Sequence, residues 1–350
     1  MFAAGTKAGV APDRSSQAQY VTWKHIVEPV EPFMDRVAHA LAEQVDAFDS
    51  GIVPYARYAL TNQGKQLRPA LVALSGNAAG CMNDQHVTVA VIIEMVHLAT
   101  LVHDDIMDSA EIRRRRPTLA ANWGNQISVL VGDCLFAHAL KLAASFPSPE
   151  ICRAVASATN TVCSGEILQT QQRRNFKLTR AEYFKILEMK TAELFALSCD
   201  LGSSLGEAGE PVRTALRNFG LAFGTAYQIY DDCLDLFGSE AAVGKSLGTD
   251  LASGKLTLPI LIIFERGSSA DQAQLRECVQ HWEPSYYPQV LKLLETYNAQ
   301  AESRDMIHYY LAESRRALSP VPDSEGKAAL LALGDFLAQQ TDALGVTAYK

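Results

Sequence analysis

No two of the seven cysteines stand in a C-x-x-C spacing; they lie scattered at 81, 134, 152, 163, 199, 233 and 278. An odd count without paired spacing argues against a zinc site or a disulfide framework, so the thiols read as reduced and buried. Positive charge is also scarce: 31 Lys and Arg face 39 Asp and Glu, a net charge of −8. That balance argues against nucleic acid as the main partner. The first twenty residues lack a contiguous apolar run of the signal-peptide kind. They read as a flexible tail (1–20) before a single domain over 21–350, and a cytoplasmic protein is the default expectation. The greasiest stretch, 87–102, is shorter than the roughly 20 apolar residues of a membrane span. Linkers and low-complexity tracts are missing, and strand-like alternation is scarce.

What remains is helical periodicity. Apolar residues recur three and four apart, which predicts an all-α protein. An amphipathic helix is expected over 27–48, its start blurred by Pro29 and Pro32. A loop is expected over 60–64 and a helix over 70–79. The apolar run from Val87 should form a buried core helix. Residues 126–144 are apolar nearly all round, which predicts a buried helix. Long helices are expected over 151–175 and 179–205, and another from Glu210 to Asp235. A Gly-, Ser- and Lys-rich loop follows over 238–255. The run 257–264 reads as helix in this company, and the tail should add two or three more.

The chemistry concentrates at the end of the central run, in His103-Asp104-Asp105-Ile106-Met107-Asp108. Asp104 and Asp108 are four apart, so on a helix both carboxylates share one face. Like charges that close repel, whereas a hard cation such as Mg²⁺ takes oxygen ligands and bridges carboxylates to phosphates. Arg113 to Arg116 follow. An acidic cluster at the end of a greasy helix, with cations beyond, suits a substrate with an anionic head and an apolar tail. Asp231-Asp232-Cys233-Leu234-Asp235 repeats the Asp-Asp-x-x-Asp spacing. One such cluster can be a solvated helix end. Two, each on an apolar helix and each followed by basic residues, point to metal ions held around one diphosphate.

Other residues carry two readings each. Lys65 and Arg68, three apart at an expected helix start, are a ready anion site or a solvated basic turn. His97 lies seven before Asp104 and shares its face; a lone His on an apolar helix is also a common core residue. The arginine run is a diphosphate clamp or a solvated charge run. Lys190, Thr191, Gln228, Lys245 and Lys255 are individually unremarkable. Glu166 and Gln169, three apart, read as polar surface.

Taken together, these stretches resemble the trans-isoprenyl (polyprenyl) diphosphate synthases, from about Asn62 to Pro259 and more weakly beyond. The motifs stand in family order: GKQLRP (64–69), HDDIMD (103–108), RRRRPT (113–118), GD-x-L (132–135), GEILQ (165–169), KTAELF (190–195), YQIYDDCLD (227–235) and GKSLGTDLASGKLTLP (244–259). The resemblance implies an all-α bundle around a deep cavity, paired as a homodimer. It implies metal-binding motifs at Asp104, Asp105, Asp108, Asp231, Asp232 and Asp235; in the family the first motif and the first Asp of the second hold three Mg²⁺ ions. Arg113, Lys190, Lys245 and Lys255 match residues that hold the allylic diphosphate. Lys65, Arg68, His97 and Arg114 match the isopentenyl diphosphate site, and Thr191 and Gln228 match polar groups at the reacting centre. The implied reaction is a Mg²⁺-dependent head-to-tail condensation: ionisation, attack by isopentenyl diphosphate, then loss of a proton.

Some positions depart from the family pattern. Gln63-Gly64-Lys65-Gln66 replaces its Gly-Gly-Lys-Arg, Arg115 stands where Gly is usual, and the chain ends TAYK without a strongly basic tail. Ala99 and Thr100, about one turn below Asp104, are small where short-chain members often place aromatics. This leads to the expectation of an open tunnel and a long product, unless Leu135 or Phe136 on the next helix supplies a floor. A farnesyl or geranylgeranyl diphosphate synthase is the alternative. A class I terpene cyclase is less suited, because the second motif keeps Asp-Asp-x-x-Asp. A non-catalytic subunit is less suited too, because both motifs are intact. Contact with a membrane surface should be transient at most, since no basic amphipathic helix offers an anchor.

Overall fold

Prolines decide where many of the helices begin. Pro lacks an N–H and fixes φ, so it is accepted at a helix start and breaks a helix interior. In the computed structural model, which describes residues 21–61, 64–239 and 247–345, Pro29 and Pro32 split the expected first helix. Helix α1 (Trp23–Val27) and α2 (Glu31–Glu43) are joined by a 3₁₀ turn. Helix α3 (Val53–Thr61) then runs into the stretch expected to be loop. The expected flexible tail and Lys245 lie outside the described residues.

Helix α4 (Leu67–Ala79) leads to α5 (Asp84–Met107), which Asn83 caps in a capping box with His86. A two-residue hairpin follows, β1 (Ile112–Arg113) with β2 (Arg116–Pro117). Then come α6 (Leu119–Ala144), α7 (Pro149–Gln171), α8 (Arg180–Leu187), α9 (Glu193–Leu205) and α10 (Glu210–Phe237). Residues Glu188–Ala192 form a π-helical segment joining α8 to α9, so the expected helix over 179–205 is continuous but locally widened. After the short α11 (Thr249–Ala252) and α12 (Leu258–Arg266), the tail adds α13 (Ser269–Gln280), α14 (Tyr287–Thr296), α15 (Ala299–Ala317) and α16 (Glu325–Asp342). That is one helix more than expected. The extra break falls at Asn298, which adopts a left-handed φ of 51° between α14 and α15.

Helices α4, α9 and α10 pack side by side, and α5 lies between α4, α6 and α9. Buried apolar residues form one contiguous cluster from Ile26 to Leu344. Within it, α5 is buried nearly all round from Val89 to Ala99. At 24 residues it is long and apolar enough to cross a membrane by length and composition, contrary to the estimate from 87–102. Its neighbours cover it instead.

Helix α6 is the larger correction. It was expected to be buried, yet Leu130 is 60% exposed and Val129 43%. The helix packs on α5, α7 and α3, and nothing among the described residues covers its remaining face. Gly124, at φ 82° and ψ 164°, kinks its start, which is why the regular pattern becomes legible only near Gln126.

Candidate active site

The first acidic cluster closes α5. Asp108 is the C-cap residue, and its N–H donates to the Asp104 carbonyl at 2.8 Å. Its carboxylate receives Arg173 Nη2 on one oxygen and Lys255 Nζ on the other, both at 2.8 Å. Burial alone would raise the Asp108 pKa, but Lys255, Lys190 and Arg173 together outweigh it and hold the carboxyl below the usual range. Asp104 lies 3.6 Å from Lys190 Nζ. Asp105 does not join them. Neighbours on a helix point about 100° apart, so its carboxylate turns to the hairpin and accepts from Arg113 Nε at 2.6 Å. Burial raises Asp105, against the pull of Arg113.

Lys190 sits in the π segment. Its ammonium also meets Glu166 and donates to Gln169 at 2.8 Å. These two residues, read from sequence as polar surface, belong to the site. Burial would lower the Lys190 pKa; Asp104, Glu166 and Asp108 overcome it and raise it. Gly165 makes this arrangement possible, because a Cβ there would stand 2.7 Å from the Lys190 backbone nitrogen. The next residue, Thr191, donates through Oγ1 to Gln228 Oε1 at 2.8 Å on α10.

The second cluster divides in the same way. Asp231 is exposed, while Asp232 and Asp235 are 6% and 2% exposed. Asp232 accepts from Tyr183 Oη at 2.5 Å and Gln228 Nε2 at 2.8 Å. Asp235 accepts from Thr249 Oγ1 at 2.7 Å and the Asp250 N–H at 3.0 Å, tethering the start of α11. Of the six aspartates expected to bind metal, Asp105, Asp232 and Asp235 face partners within the fold, whereas Asp104 and Asp108 face the cations Lys190, Lys255 and Arg173. Lys255 also comes within 3.9 Å of Asp250, whose N–H meets Asp235 of the second cluster.

The residues expected to hold an anion come from separate elements. Arg68, at the start of α4, is half-buried with its guanidinium carbon 4.7 Å over the Phe195 ring. Arg114 comes from the hairpin loop, where it and Arg115 hold φ of 51° and 62°. Its guanidinium occupies the space a Cβ on Gly64 would need. Lys65 lies 5.7 Å over the Phe336 ring. His97 is held well below its usual pKa, first by burial and then by Arg68, Arg114 and Arg113, so it is neutral. Glu94, one turn earlier, is the buried counter-charge to both arginines; burial raises its own pKa against their attraction. Tyr227 is pushed up to about 12, chiefly by burial and then by Asp231. Its phenol also feels Arg68 and Arg114, which ties these residues to the second cluster.

Ala99 and Thr100 separate. Ala99 is fully buried, and Thr100 is half-buried with its hydroxyl turned back to the His97 carbonyl at 2.7 Å. Sequence reading missed Arg173, Tyr183 and Glu94. Arg173 lies 65 residues from the carboxylate it meets, and no local pattern announces it.

The donor set suits a hard cation. It offers carboxylates without His or Cys, and among the described residues no three or more such side chains converge into a closed cage. Mg²⁺ fits this case, because it is held by one or two carboxylates and completes its shell with water and phosphate oxygens. Carboxylates for ions, cations for two anionic heads and an apolar interior define a site for prenyl diphosphate chemistry.

The comparisons specify it. The family described as polyprenyl synthetase matches residues 51–296. The octaprenyl diphosphate synthase of Haemophilus influenzae is 31% identical over 304 residues, 87% of this chain and 92% of that protein. The geranylgeranyl diphosphate synthase of Methanosarcina mazei is 32% identical over 291 residues, 80% of this chain and 87% of that one. The crystal structure of polyprenyl synthase from Caulobacter crescentus, complexed with calcium and isoprenyl diphosphate, superposes with a TM-score of 0.86 at 30% identity, covering 91% of this chain and 98% of that one. The chain belongs to the polyprenyl synthetase family. It is a prenyltransferase with the helical isoprenoid synthase fold, a polyprenyl diphosphate synthase.

Proposed function

We propose that this enzyme extends an allylic diphosphate with isopentenyl diphosphate to a medium- or long-chain all-trans product, with Mg²⁺ as cofactor. The carrying observation is the convergence of Lys190, Lys255 and Arg173 on Asp104 and Asp108. Asp104, Asp108 and Asp231 would hold Mg²⁺, which when bound neutralises charge on the departing diphosphate. Lys190, Lys255 and Arg173 stand beside Asp104 and Asp108, placed to hold its oxygens. The allylic C–O bond breaks, and the apolar interior keeps water from the cation. Lys65, Arg68, Arg114 and neutral His97 hold the isopentenyl diphosphate head. Its double bond attacks the allylic carbon, and the proton lost from the adjacent carbon goes to the released diphosphate. The product is one isoprene unit longer and can re-enter.

Two observations bear on product length. Small residues at Ala99 and Thr100 favour a long product. Against this, Phe136 on α6 lies with its ring 5.7 Å from that of His103, close to the motif, and favours a short-chain synthase. The uncovered apolar face of α6, with Trp123, Val129 and Leu130, supports a homodimer. A cytoplasmic location and transient membrane contact complete the reading.

Product analysis tests it. The purified protein is incubated with isopentenyl diphosphate, Mg²⁺ and dimethylallyl, geranyl, farnesyl or geranylgeranyl diphosphate. Elongation to six or more units supports the reading. A stop at three or four units gives the short-chain alternative. No elongation sinks the synthase assignment.

A further inference from the structure

One chain of hydrogen bonds runs from the buried core to the reacting centre. Thr191 Oγ1 donates to Gln228 Oε1 at 2.8 Å, Gln228 Nε2 donates to Asp232 Oδ1 at 2.8 Å, and Tyr183 Oη donates to Asp232 Oδ2 at 2.5 Å. Tyr183 is buried on α8, and its hydroxyl proton is directed at Asp232. A primary amide has a donor end and an acceptor end. Asp232 Oδ1 accepts from the donor end, and the amide oxygen accepts from Thr191. With both carboxylate oxygens taken, Asp232 is not available at the mouth of the site.

We propose that Tyr183 and Asp232 are positioning residues that lock the Gln228 amide with its oxygen, not its NH₂, toward the allylic carbon. The locked dipole presents partial negative charge where the cation forms, with no reorganisation needed at that moment. This inference rests on the synthase reading above.

The test uses the full-length protein, the single-turnover rate of the first condensation, the KM of both substrates and thermal melting. Asp232→Asn keeps the shape but reverses the relay. The tyrosine proton claims the introduced amide's oxygen, so its NH₂ faces Gln228 and forces that amide to turn over. The rate should fall about 10- to 100-fold, less than the 10²–10³-fold typical of losing a whole electrostatic donor. Both KM values should stay within about twofold, as for an interaction made only in the transition state. The pair Gln228→Glu with Asp232→Asn restores an oxygen toward Thr191. It should run about tenfold faster than Asp232→Asn alone, a rescue that a purely structural role does not produce. Tyr183→Phe should lose rate by a smaller factor. If Tyr183→Phe fails to fold, the two Asp232 variants still decide. A rate for Asp232→Asn within about twofold of the parent, or a paired variant no faster than the single, overturns the relay. A parent protein that does not elongate at all overturns the synthase reading and the relay together.

Discussion

Replacing Lys190 by Met should expose two separate roles of one ammonium group. Lys190 stands between Glu166 and Asp104, and the Lys190 and Glu166 side chains are 18% and 14% exposed. Removing one partner of a buried ion pair costs about 3–5 kcal/mol; with some water contact left, about 2–3 kcal/mol is expected here. The pH dependence has a definite sign. Burial, then Asp104, already raise the Glu166 pKa, and Lys190 opposes them. Without Lys190 the folded-state value climbs further above the unfolded one. A folded state that binds the proton more tightly loses stability as pH rises between the two values. The deficit of Lys190→Met should therefore be small near the unfolded glutamate value of about 4.3 and full at neutral pH. Denaturant melts at about pH 4.5 and 8, with EDTA present, measure it. Adding Glu166→Gln should recover about half the loss or more, because the uncompensated carboxylate is gone. Activity should not recover. The single variant should lose about 10²–10³-fold in turnover, since a cation on the departing diphosphate is missing. An equal deficit at both pH values, or no recovery with Glu166→Gln, would refute the reasoning.

Arg115→Gly should stabilise the fold by about 0.5–1 kcal/mol in denaturant melts, since the left-handed φ at this turn position suits Gly; a loss of stability would show that Arg115 has a partner worth more than the strain. Ala99→Phe should shorten the product if Ala99 borders the chain tunnel. If it is ordinary core, overpacking should cost about 1–3 kcal/mol with the product unchanged, so product length and melting are read together. Leu130→Asp should shift the protein to a monomer on size-exclusion chromatography, because it charges the exposed apolar face of α6; an unchanged elution volume would remove that face from the dimer.

Much of the bundle was legible because helices announce themselves through period and punctuation. Pro211 and Pro259 each stand at the second residue of a helix, at the starts of α10 and α12. The acidic motifs were legible too, and the structure brings the first of them to three cations. What stayed hidden was direction. A string such as Asp231-Asp232 shows two carboxylates, but only the helix decides that one faces out and the other in. Burial of α6 was misjudged for a related reason. An apolar surface all round does not say whether its cover is the same chain or another. Arg173 and Tyr183 were invisible because their roles depend on partners 65 and 49 residues away.

The π segment at Glu188–Ala192 carries a consequence for how this chain can vary over evolutionary time. A helix of this kind holds one residue more than its length would need as ordinary α-helix. Deleting a single residue there would leave an unbroken, locally more comfortable α-helix. The wide turn absorbs the extra residue, so α9 would keep its buried face on α4 and α10. What would change is the direction of Lys190 and Thr191 within the turn, so 188–192 should hold its length for the sake of the site more than of the core.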